Sequence, residues 1–375
     1  MKVAYVLKYF PKNSETFIHE EIYQLIKQGV EVKIFSLLPG DKEKLHKKVE
    51  FILNNAELVT YKTSFMAMFH NLFESKVKVF NIPELTIRTN ILQLIKDIQD
   101  YNPDHIHSHF LFERAELISY IAEKLNIPFS ITCHAKDIYI PNLRRLKLIS
   151  SKAKAIITIS EFNKKLLIKQ GVDSKKIKVI HCGIDLDNFA LTKKKKKNTH
   201  LVVLSIGRFV EKKGFIYLLK AAKIIKETHP NVEFRIIGYG PLDNQLRHFT
   251  RINHLNVNFL GKTIDEETKR EIDNCDLFVL SCVKSKSGDM DGIPVVLMEA
   301  MAKGKNVIST DITGVPELIN DEMTGYLVQQ NNEVELAEKI LNFKKLNSKV
   351  IRNKIEKDFN SKKEVKKLIG VWKNA

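Results

Sequence analysis

The sequence has few features of a secreted or membrane-spanning protein. It has only four cysteines in 375 residues, and none forms a Cys-x-x-Cys pair, so no disulfide framework or cysteine-rich metal site is indicated. No apolar run approaches the roughly 20 residues of a spanning helix. The first residues, Met1–Leu7, have a strand pattern rather than that of a signal sequence. We therefore expect a cytoplasmic protein with reduced, buried thiols.

Acidic residues are in the minority, because 61 Lys and Arg stand against 44 Asp and Glu and give a net charge of +17. Nucleic acid, an anionic membrane surface and a general lysine bias could each account for this excess. The lysines are spread along the chain and no nucleic-acid-binding motif accompanies them. We therefore favour a membrane surface as partner and expect no nucleic acid.

No Gly-x-Gly-x-x-Gly follows the first strand, which argues against a dehydrogenase. Short apolar runs instead alternate with helical periods, which is typical of parallel sheets covered by helices on both faces. The length suits two such α/β domains. Strands are predicted near residues 3–7, 31–37, 106–108, 129–133, 155–159, 178–180, 201–206, 233–237, 257–259, 277–280 and 306–309.

Two lysine-rich segments bear on domain organisation. Residues 191–199 carry five successive lysines without apolar periodicity, so we interpret them as an exposed linker between a domain over 1–190 and a domain over 200–356. The stretch from about 357 to 375 is a basic amphipathic helix, whose apolar side is formed by Val365, Leu368, Ile369 and Trp372.

A further amphipathic stripe lies in the first half, between residues 65 and 73. Its helical face carries Phe65, Phe69, Leu72 and Phe73, with lysines on either side. Packing in a core and contact with a bilayer interface both explain this pattern, and both interpretations stay open.

The most informative stretch of the chain runs from Asp291 to Glu299, where two acidic residues bracket a Gly-Ile-Pro turn. The following residues, Val295–Ala302, are predicted to form a buried helix. The start of a helix offers free N–H groups to an anionic or polyhydroxyl ligand, and the carboxylates can accept hydrogen bonds from sugar hydroxyls. An acidic residue near a helix start is also an ordinary dipole partner.

Two more strand ends carry polar loops. Gly207 and Arg208 follow one predicted strand, with Lys213 shortly before a helix, and the glycine-rich turn 238–241 follows the next strand. Ligands of open α/β sheets bind at the carboxyl edge of the strands. The sequence therefore predicts a site that combines a cationic loop, a glycine turn and an acidic loop.

Histidines end two strands of the first half. His107 and His109 close one strand, and His134 closes another, with Asp137 three residues later. Zinc binding by these three histidines competes with packing and with binding to a substrate, and only the fold can supply its geometry. The first strand leads into Ser14, Glu15 and Thr16, where Ser14 is predicted to cap a helix and Glu15 to lie in its first turn.

These motifs resemble those of the retaining glycosyltransferases of family 4. The family has Gly-Arg with Lys-Gly, then Gly-x-Gly-Pro, then two Glu separated by seven residues, and this chain matches with Gly207, Arg208, Lys213, Gly240, Pro241, Asp291 and Glu299. Asp291 departs from the usual Glu and has a shorter reach. The segment around Ser14 to Thr16 is similar to the subgroup that builds bacterial exopolysaccharides, capsules and colanic-acid-like polymers.

The resemblance implies a GT-B fold, in which two Rossmann-like, doubly wound, parallel-sheet domains face a central cleft and the last helix packs back on the first domain. It implies a catalytic set of Arg208, Lys213, His134, Asp291 and Glu299. It implies donor contacts from Gly207, Gly240, Pro241, Gly292, Ile293, Pro294 and Glu299. On the acceptor side, the candidates are Ser14, Glu15, Thr16, His109 and Asp137.

The implied reaction is retaining transfer of a sugar from a nucleoside diphosphate sugar, which is a co-substrate, to a lipid-linked oligosaccharide at the inner face of the cell membrane. Arg208 and Lys213 would neutralise the departing diphosphate, so we expect no metal and no cofactor. Two alternatives stay open. They are a nucleotide-sugar epimerase of the same architecture and a nucleotide-sugar-binding component whose activity is impaired by Asp291.

Overall fold

The computed structural model describes residues 1–42, 47–62, 90–111, 113–192, 200–263 and 265–373. Two compact units are separable by their internal contacts. The first comprises Met1–Ile159, Asn163–Gly183 and Ser361–Ala375, and the second comprises Ser160–Phe162 and Ile184–Asn360. The division therefore falls after Gly183, ahead of the lysine-rich segment. Most of that expected linker (193–199) and the amphipathic stripe of residues 65–73 lie outside the described residues.

The first unit is built on a seven-stranded parallel sheet with the order β3-β2-β1-β4-β5-β6-β7. Its strands are β1 (Lys2–Phe10), β2 (Glu31–Pro39), β3 (Glu57–Thr60), β4 (His105–His109), β5 (Phe129–Cys133), β6 (Ala155–Thr158) and β7 (Ile177–Val179). The helices that precede the second sheet are α1 (Thr16–Lys27), α2 (Lys47–Asn55), α3 (Ile91–Tyr101), α4 (Glu113–Leu125), α5 (Lys136–Tyr139), α6 (Leu143–Lys152) and α7 (Glu161–Lys169).

The second unit repeats the plan with a six-stranded parallel sheet of order β10-β9-β8-β11-β12-β13. Its strands are β8 (Val202–Ile206), β9 (Glu233–Ile237), β10 (Val257–Gly261), β11 (Leu277–Leu280), β12 (Asn306–Thr310) and β13 (Tyr326–Val328). The later helices are α8 (Phe215–Thr228), α9 (Asp243–Ile252), α10 (Asp265–Asn274), α11 (Val295–Ala302), α12 (Val315–Leu318), α13 (Glu333–Asn342), α14 (Ser348–Asp358) and α15 (Ser361–Lys373). Short 3-10 turns cover Ser174–Lys176, Leu186–Asn188 and Glu211–Lys213.

Helices cover both faces of each sheet, and strand residues alternate between two cores. Along β1, Ala4 and Val6 belong to one apolar cluster, whereas Val3 and Tyr5 belong to another. Central strands such as β5 are buried at every position, as expected for a parallel sheet with two covered faces. The α/β class and the two parallel sheets predicted from the sequence are thus confirmed.

The last helix, α15, belongs to the first unit. It starts at Ser361, a few residues later than the predicted start near 357, because α14 ends at Asp358 and the chain breaks the helical path there. Val365, Leu368 and Trp372 are buried in the cluster formed by β1 and α1. Among the described helices, none is both long and apolar enough to cross a bilayer.

The predicted strands are confirmed to within a few residues, but two strands escaped prediction. These are β3 and β13, which lie at the edges of the two sheets and have only four and three residues. The predicted helix over Val295–Ala302 is confirmed as α11.

Gly214 joins the 3-10 turn to α8 and is locked by a close backbone approach. Its φ is +66°, and a Cβ atom there would lie 1.7 Å from the carbonyl oxygen of Ser281. That approach brings the loop after β8 against the end of β11, where the Ser281 hydroxyl donates to the Gly214 carbonyl at 2.9 Å. Gly261 has a similar φ of +70° but nothing within 4 Å of its added Cβ.

We therefore expect Gly214→Ala to destabilise the second unit more than Gly261→Ala does. Strain at positive φ costs roughly 1–2 kcal/mol in either variant, and only Gly214→Ala adds a backbone collision, for a total of at least about 3 kcal/mol. Urea unfolding of both variants measures the difference. Equal losses would contradict the close approach.

Candidate active site

The order of the second sheet reverses between β8 and β11, because the chain moves outward from β8 to β9 and then returns to the other side. Loops that leave such neighbouring strands diverge and open a crevice at the carboxyl edge, where ligands of α/β sheets bind. The loop after β8 carries Arg208 and Lys213, and the loop after β11 carries Asp291. The predicted cationic and acidic loops therefore meet at this edge.

A buried ion pair joins the two loops. The Lys213 ammonium lies 2.5 Å from the Asp291 carboxylate, with side chains only 15% and 13% exposed. Lys212 also contacts Asp291 at 3.2 Å and Asp289 at 3.1 Å. Burial alone would raise the pKa of Asp291, but the two lysines outweigh it and the pKa is lowered. Burial would lower the pKa of Lys213, yet Asp291 raises it. Both groups are therefore charged at neutral pH.

The cationic and glycine loops are held together by their backbones. The amide of Gly207 donates to the carbonyl of Ile237 at 3.0 Å, and the amide of Phe209 donates to the carbonyl of Tyr239 at 2.9 Å. A Cβ atom at Gly240 would lie 2.7 Å from the carbonyl oxygen of Phe209, and Pro241 follows directly. This packing leaves Arg208 exposed, and no described residue forms an ion pair with its guanidinium.

The acidic loop leads into α11. Pro294 occupies the position before the helix and provides no side-chain cap, so the first N–H groups of α11 are not capped by this residue. Thr313 fixes the turn, because its hydroxyl lies 2.7 Å from the carbonyl of Asp291 and 2.8 Å from that of Gly292. Ile293 is buried, and Glu299 is half-buried one turn into the helix.

The first sheet has its own reversal, between β1 and β4. The loop after β1 contains Ser14, Glu15 and Thr16. The prediction that Ser14 caps α1 is wrong, because the Glu15 amide donates to the Lys12 carbonyl in a preceding turn and places Glu15 at the cap position, without a capping side chain. Ser14 and Thr16 are exposed. Burial raises the pKa of Glu15, although nearby His109 opposes this effect.

The histidines that end β4 and β5 are brought together, because these two strands are neighbours in the sheet. His109 Nδ1 lies 3.0 Å from His134 Nε2. His109 Nε2 lies 3.0 Å from Glu21 of α1, and the Tyr5 hydroxyl donates to the same Glu21 oxygen at 2.6 Å. Burial, and then the neighbouring His109, keep the pKa of His134 well below the usual histidine value.

Asp137 holds the backbone of His134 in place. Its carboxylate accepts hydrogen bonds from the His134 amide and the Leu111 amide, both at 2.9 Å. Burial raises the pKa of Asp137 to about 6, and these hydrogen bonds limit the increase. Asp137 therefore fixes the loop that carries His134, and its carboxylate is occupied by backbone groups.

Among the described residues, the group whose possible ligand atoms lie close together is not the predicted zinc set of His107, His109 and His134. Glu21, His107 and His109 instead bring three ligand atoms within 4.8 Å of one another. These atoms also have protein partners, since His107 Nε2 lies 3.1 Å from the Thr132 hydroxyl and His109 contacts Glu21 directly. Hydrogen bonding thus accounts for the arrangement without an ion.

Sequence reasoning missed four residues that shape these sites. Lys212 and Thr313 hold the Asp291 loop, and Tyr5 and Glu21 hold His109. The sequence shows adjacent lysines at 212 and 213 and adjacent glutamates at 20 and 21, and either pair could have been examined for a member that belongs to a site. The local turn decides which of the two lysine side chains contacts the site, and the phase of α1 decides which of the two glutamates does.

Comparisons with known proteins show which family the chain is similar to. Residues 14–188 match the model of Glycosyltransferase Family 4, and residues 187–362 match that of Glycosyl transferases group 1. The chain is 28% identical to the Escherichia coli K12 glycosyltransferase WcaL, named for colanic acid biosynthesis, with 96% of each chain covered. It is 26% identical to the Escherichia coli UDP-Gal:alpha-D-GlcNAc-diphosphoundecaprenol alpha-1,3-galactosyltransferase, with 80% of this chain and 84% of that protein covered.

Among solved structures, Anabaena Alr3699/HepE in complex with UDP-glucose has a TM-score of 0.74 and 16% identity, with both chains fully covered. The two parallel-sheet units and this likeness show the GT-B fold. The chain belongs to glycosyltransferase family 4, the group 1 glycosyl transferases, since the two family models together span residues 14–362.

The ion pair generates a prediction about pH. At neutral pH, Asp291→Asn should lower the free energy of unfolding by about 3 kcal/mol, because it leaves Lys213 buried without its carboxylate. Since the pKa of Asp291 is lowered in the fold, this contribution exists above the unfolded value of about 4 and is lost as the pH falls through the folded value.

Urea unfolding of wild type and Asp291→Asn from pH 7 to pH 3 measures this difference. The exposed Asp311 provides the matched control, since Asp311→Asn should leave stability almost unchanged at every pH. A difference for Asp291→Asn that stays constant down to pH 3 would exclude a charged pair.

Proposed function

We propose that this glycosyltransferase transfers a sugar, with retention of anomeric configuration, from a nucleoside diphosphate sugar to a lipid-linked saccharide in bacterial surface polysaccharide biosynthesis. The observation that carries the proposal is the ion pair of Lys213 and Asp291 at the sheet reversal of the second unit, with Arg208 exposed on the same cationic loop. The names of its relatives support the polymer and the lipid-linked acceptor, and the HepE complex supports a nucleotide-sugar donor.

In this proposal, the donor occupies the second unit. Glu299 accepts hydrogen bonds from the ribose hydroxyls, and Asp291 with the turn Gly292–Pro294 holds the sugar hydroxyls. Arg208 and Lys213 stabilise the negative charge that develops on the departing diphosphate. The acceptor hydroxyl attacks the anomeric carbon on the face from which the phosphate leaves, and the departing phosphate takes its proton. No residue forms a covalent intermediate.

Transfer should need both Arg208, which stabilises the diphosphate, and Glu299, which holds the ribose, and it should proceed without a metal. We expect Arg208→Met and Glu299→Ala each to reduce transfer at least about a hundredfold, the scale for removing one group that stabilises a transition state. Arg270→Met, which alters an exposed arginine of the same unit, should retain activity. All variants are assayed with a panel of nucleotide sugars and lipid-linked acceptors in excess EDTA.

The product decides between the competing functions. A retained anomeric linkage, mapped by NMR, supports the proposal. Conversion of the donor to its epimer without an acceptor would favour the epimerase, and binding of the donor without any transfer would favour the impaired component. Loss of all wild-type activity in EDTA would contradict the metal-independent mechanism.

A lipid-linked acceptor requires access to the membrane, and we propose that the outer face of α6 provides it. Leu143 and Leu148 on this face are 49% and 45% exposed, and Ile140 just before it is 44% exposed. Arg144 and Lys147 lie on the same exposed face. Leucines beside cations suit an anionic bilayer, because each cation near the surface contributes about 1 kcal/mol and each leucine adds apolar burial.

Replacement of both leucines should weaken binding to anionic vesicles. We expect Leu143→Ser/Leu148→Ser to lower the partition coefficient roughly tenfold or more, since burying an apolar side chain gives about 1.5–3 kcal/mol. Sedimentation with phosphatidylglycerol vesicles measures it. Val334→Ser is the control, because Val334 is 54% exposed but lies between Glu333 and Glu335. Unchanged partition of the double variant would exclude this face.

A further inference from the structure

A buried chain of hydrogen bonds links α1 to the loop of His134. The Tyr5 hydroxyl donates to Glu21 Oε1 at 2.6 Å, and His109 Nε2 lies 3.0 Å from the same oxygen. The other nitrogen of His109, Nδ1, lies 3.0 Å from Nε2 of His134. His109 and His134 are each only 7% exposed, so water does not compete for these contacts.

The order of protons along this chain follows from its first member. Burial raises the pKa of Tyr5 well above its usual value, so Tyr5 keeps its proton and donates. Burial would also raise the pKa of Glu21, but His109 and Tyr5 reverse this effect and lower it, so Glu21 is a carboxylate and can only accept. His109 must therefore carry a proton on Nε2.

The position of the proton on His109 determines the tautomer of His134. When His109 is neutral, its single proton is on Nε2, so the lone pair on its Nδ1 accepts the proton of His134 Nε2. His134 then has its own lone pair on Nδ1. None of the described residues hydrogen-bonds to this Nδ1 atom. Glu21, His109 and His134 all line a small recess in the first unit.

We propose that Glu21 is a positioning residue for glycosyl transfer, which acts through His109 to hold His134 as the tautomer whose Nδ1 accepts a hydrogen bond from a sugar hydroxyl. This inference rests on the proposed function for the identity of the hydroxyl. The arrangement of protons itself is a property of the unliganded protein. Asp137 completes the arrangement, because it anchors the backbone of His134 at 2.9 Å.

A metal centre of Glu21, His107 and His109 is the competing arrangement, since their ligand atoms lie within 4.8 Å. The hydrogen-bonded chain fits the distances better. Glu21 Oε1 lies 3.0 Å from His109 Nε2 but 3.7 Å from His107 Nε2, which has the Thr132 hydroxyl at 3.1 Å. The contacts therefore single out His109 as the partner of Glu21.

The test compares Glu21→Gln with Glu21→Met. Both hydrogen bonds end on one oxygen of Glu21, so the amide oxygen of glutamine can accept them, whereas methionine has a similar length and no such acceptor. In 15N spectra of histidine-labelled protein, with His134 assigned from His134→Asn, wild type and Glu21→Gln should show one His134 tautomer protonated on Nε2. Glu21→Met should show a mixture of tautomers.

Kinetics provide the second readout. Glu21→Met should lower kcat about tenfold, the loss expected for one misaligned hydrogen bond, with little change in the KM for the donor. Glu21→Gln should restore kcat to within about threefold of wild type. The matched control is His105→Gln, since His105 is a buried histidine of the same strand that bonds Ser130 instead, at 2.8 Å. Its kcat should stay at the wild-type value.

Several outcomes would overturn the proposal. They are an unchanged His134 tautomer in Glu21→Met, equal losses of kcat in the Gln and Met variants, or His107 and His109 resonances that shift on addition of Zn²⁺ and return with EDTA. Failure of the proposed function is distinguishable, because wild type would then transfer no sugar to any acceptor, while the spectra would still report the proton positions.

Discussion

An all-parallel sheet ends every strand at the same edge, and this constraint determines where the chemistry of the protein lies. Where the strand order reverses, the loops on either side diverge and need a contact that fixes their separation. The second unit provides it with the ion pair of Lys213 and Asp291 across β8 and β11. The first unit provides it with the hydrogen bond of Glu21 to His109 across β1 and β4.

Both contacts are charged or polar and largely buried, which is a costly way to hold loops together. A buried ion pair seldom stabilises a fold more than an apolar pair of equal volume would. Stability alone therefore does not explain why Lys213 and Asp291 are 15% and 13% exposed at the edge of a sheet. A charged ligand such as the diphosphate of the proposed function would explain it, because such a pair can exchange partners at little further cost in desolvation.

The sequence allowed the architecture to be predicted, because buried parallel strands are continuous apolar runs that need no knowledge of their neighbours. The edge strand β3 escaped because none of its four residues is fully buried, so it has no such run. Glu21 escaped for a different reason. It contacts His109, 88 residues away, and only the packing of α1 against β4 decides that Glu21, rather than the adjacent Glu20, meets that histidine. The capping role of Ser14 was wrong because a backbone turn moved the helix start by one residue.

The carboxylate of Asp291 has two lysine partners rather than one. Lys212 and Lys213 place two positive charges against two carboxylates, those of Asp289 and Asp291. Because Asp291 contacts both lysines, Lys212 would still neutralise the carboxylate if Lys213 turned to a diphosphate, as the proposed function requires. The buried carboxylate then never loses its counter-ion, whose removal would cost several kcal/mol. The second lysine thus makes the movement of Lys213 in the proposed function compatible with the burial of Asp291.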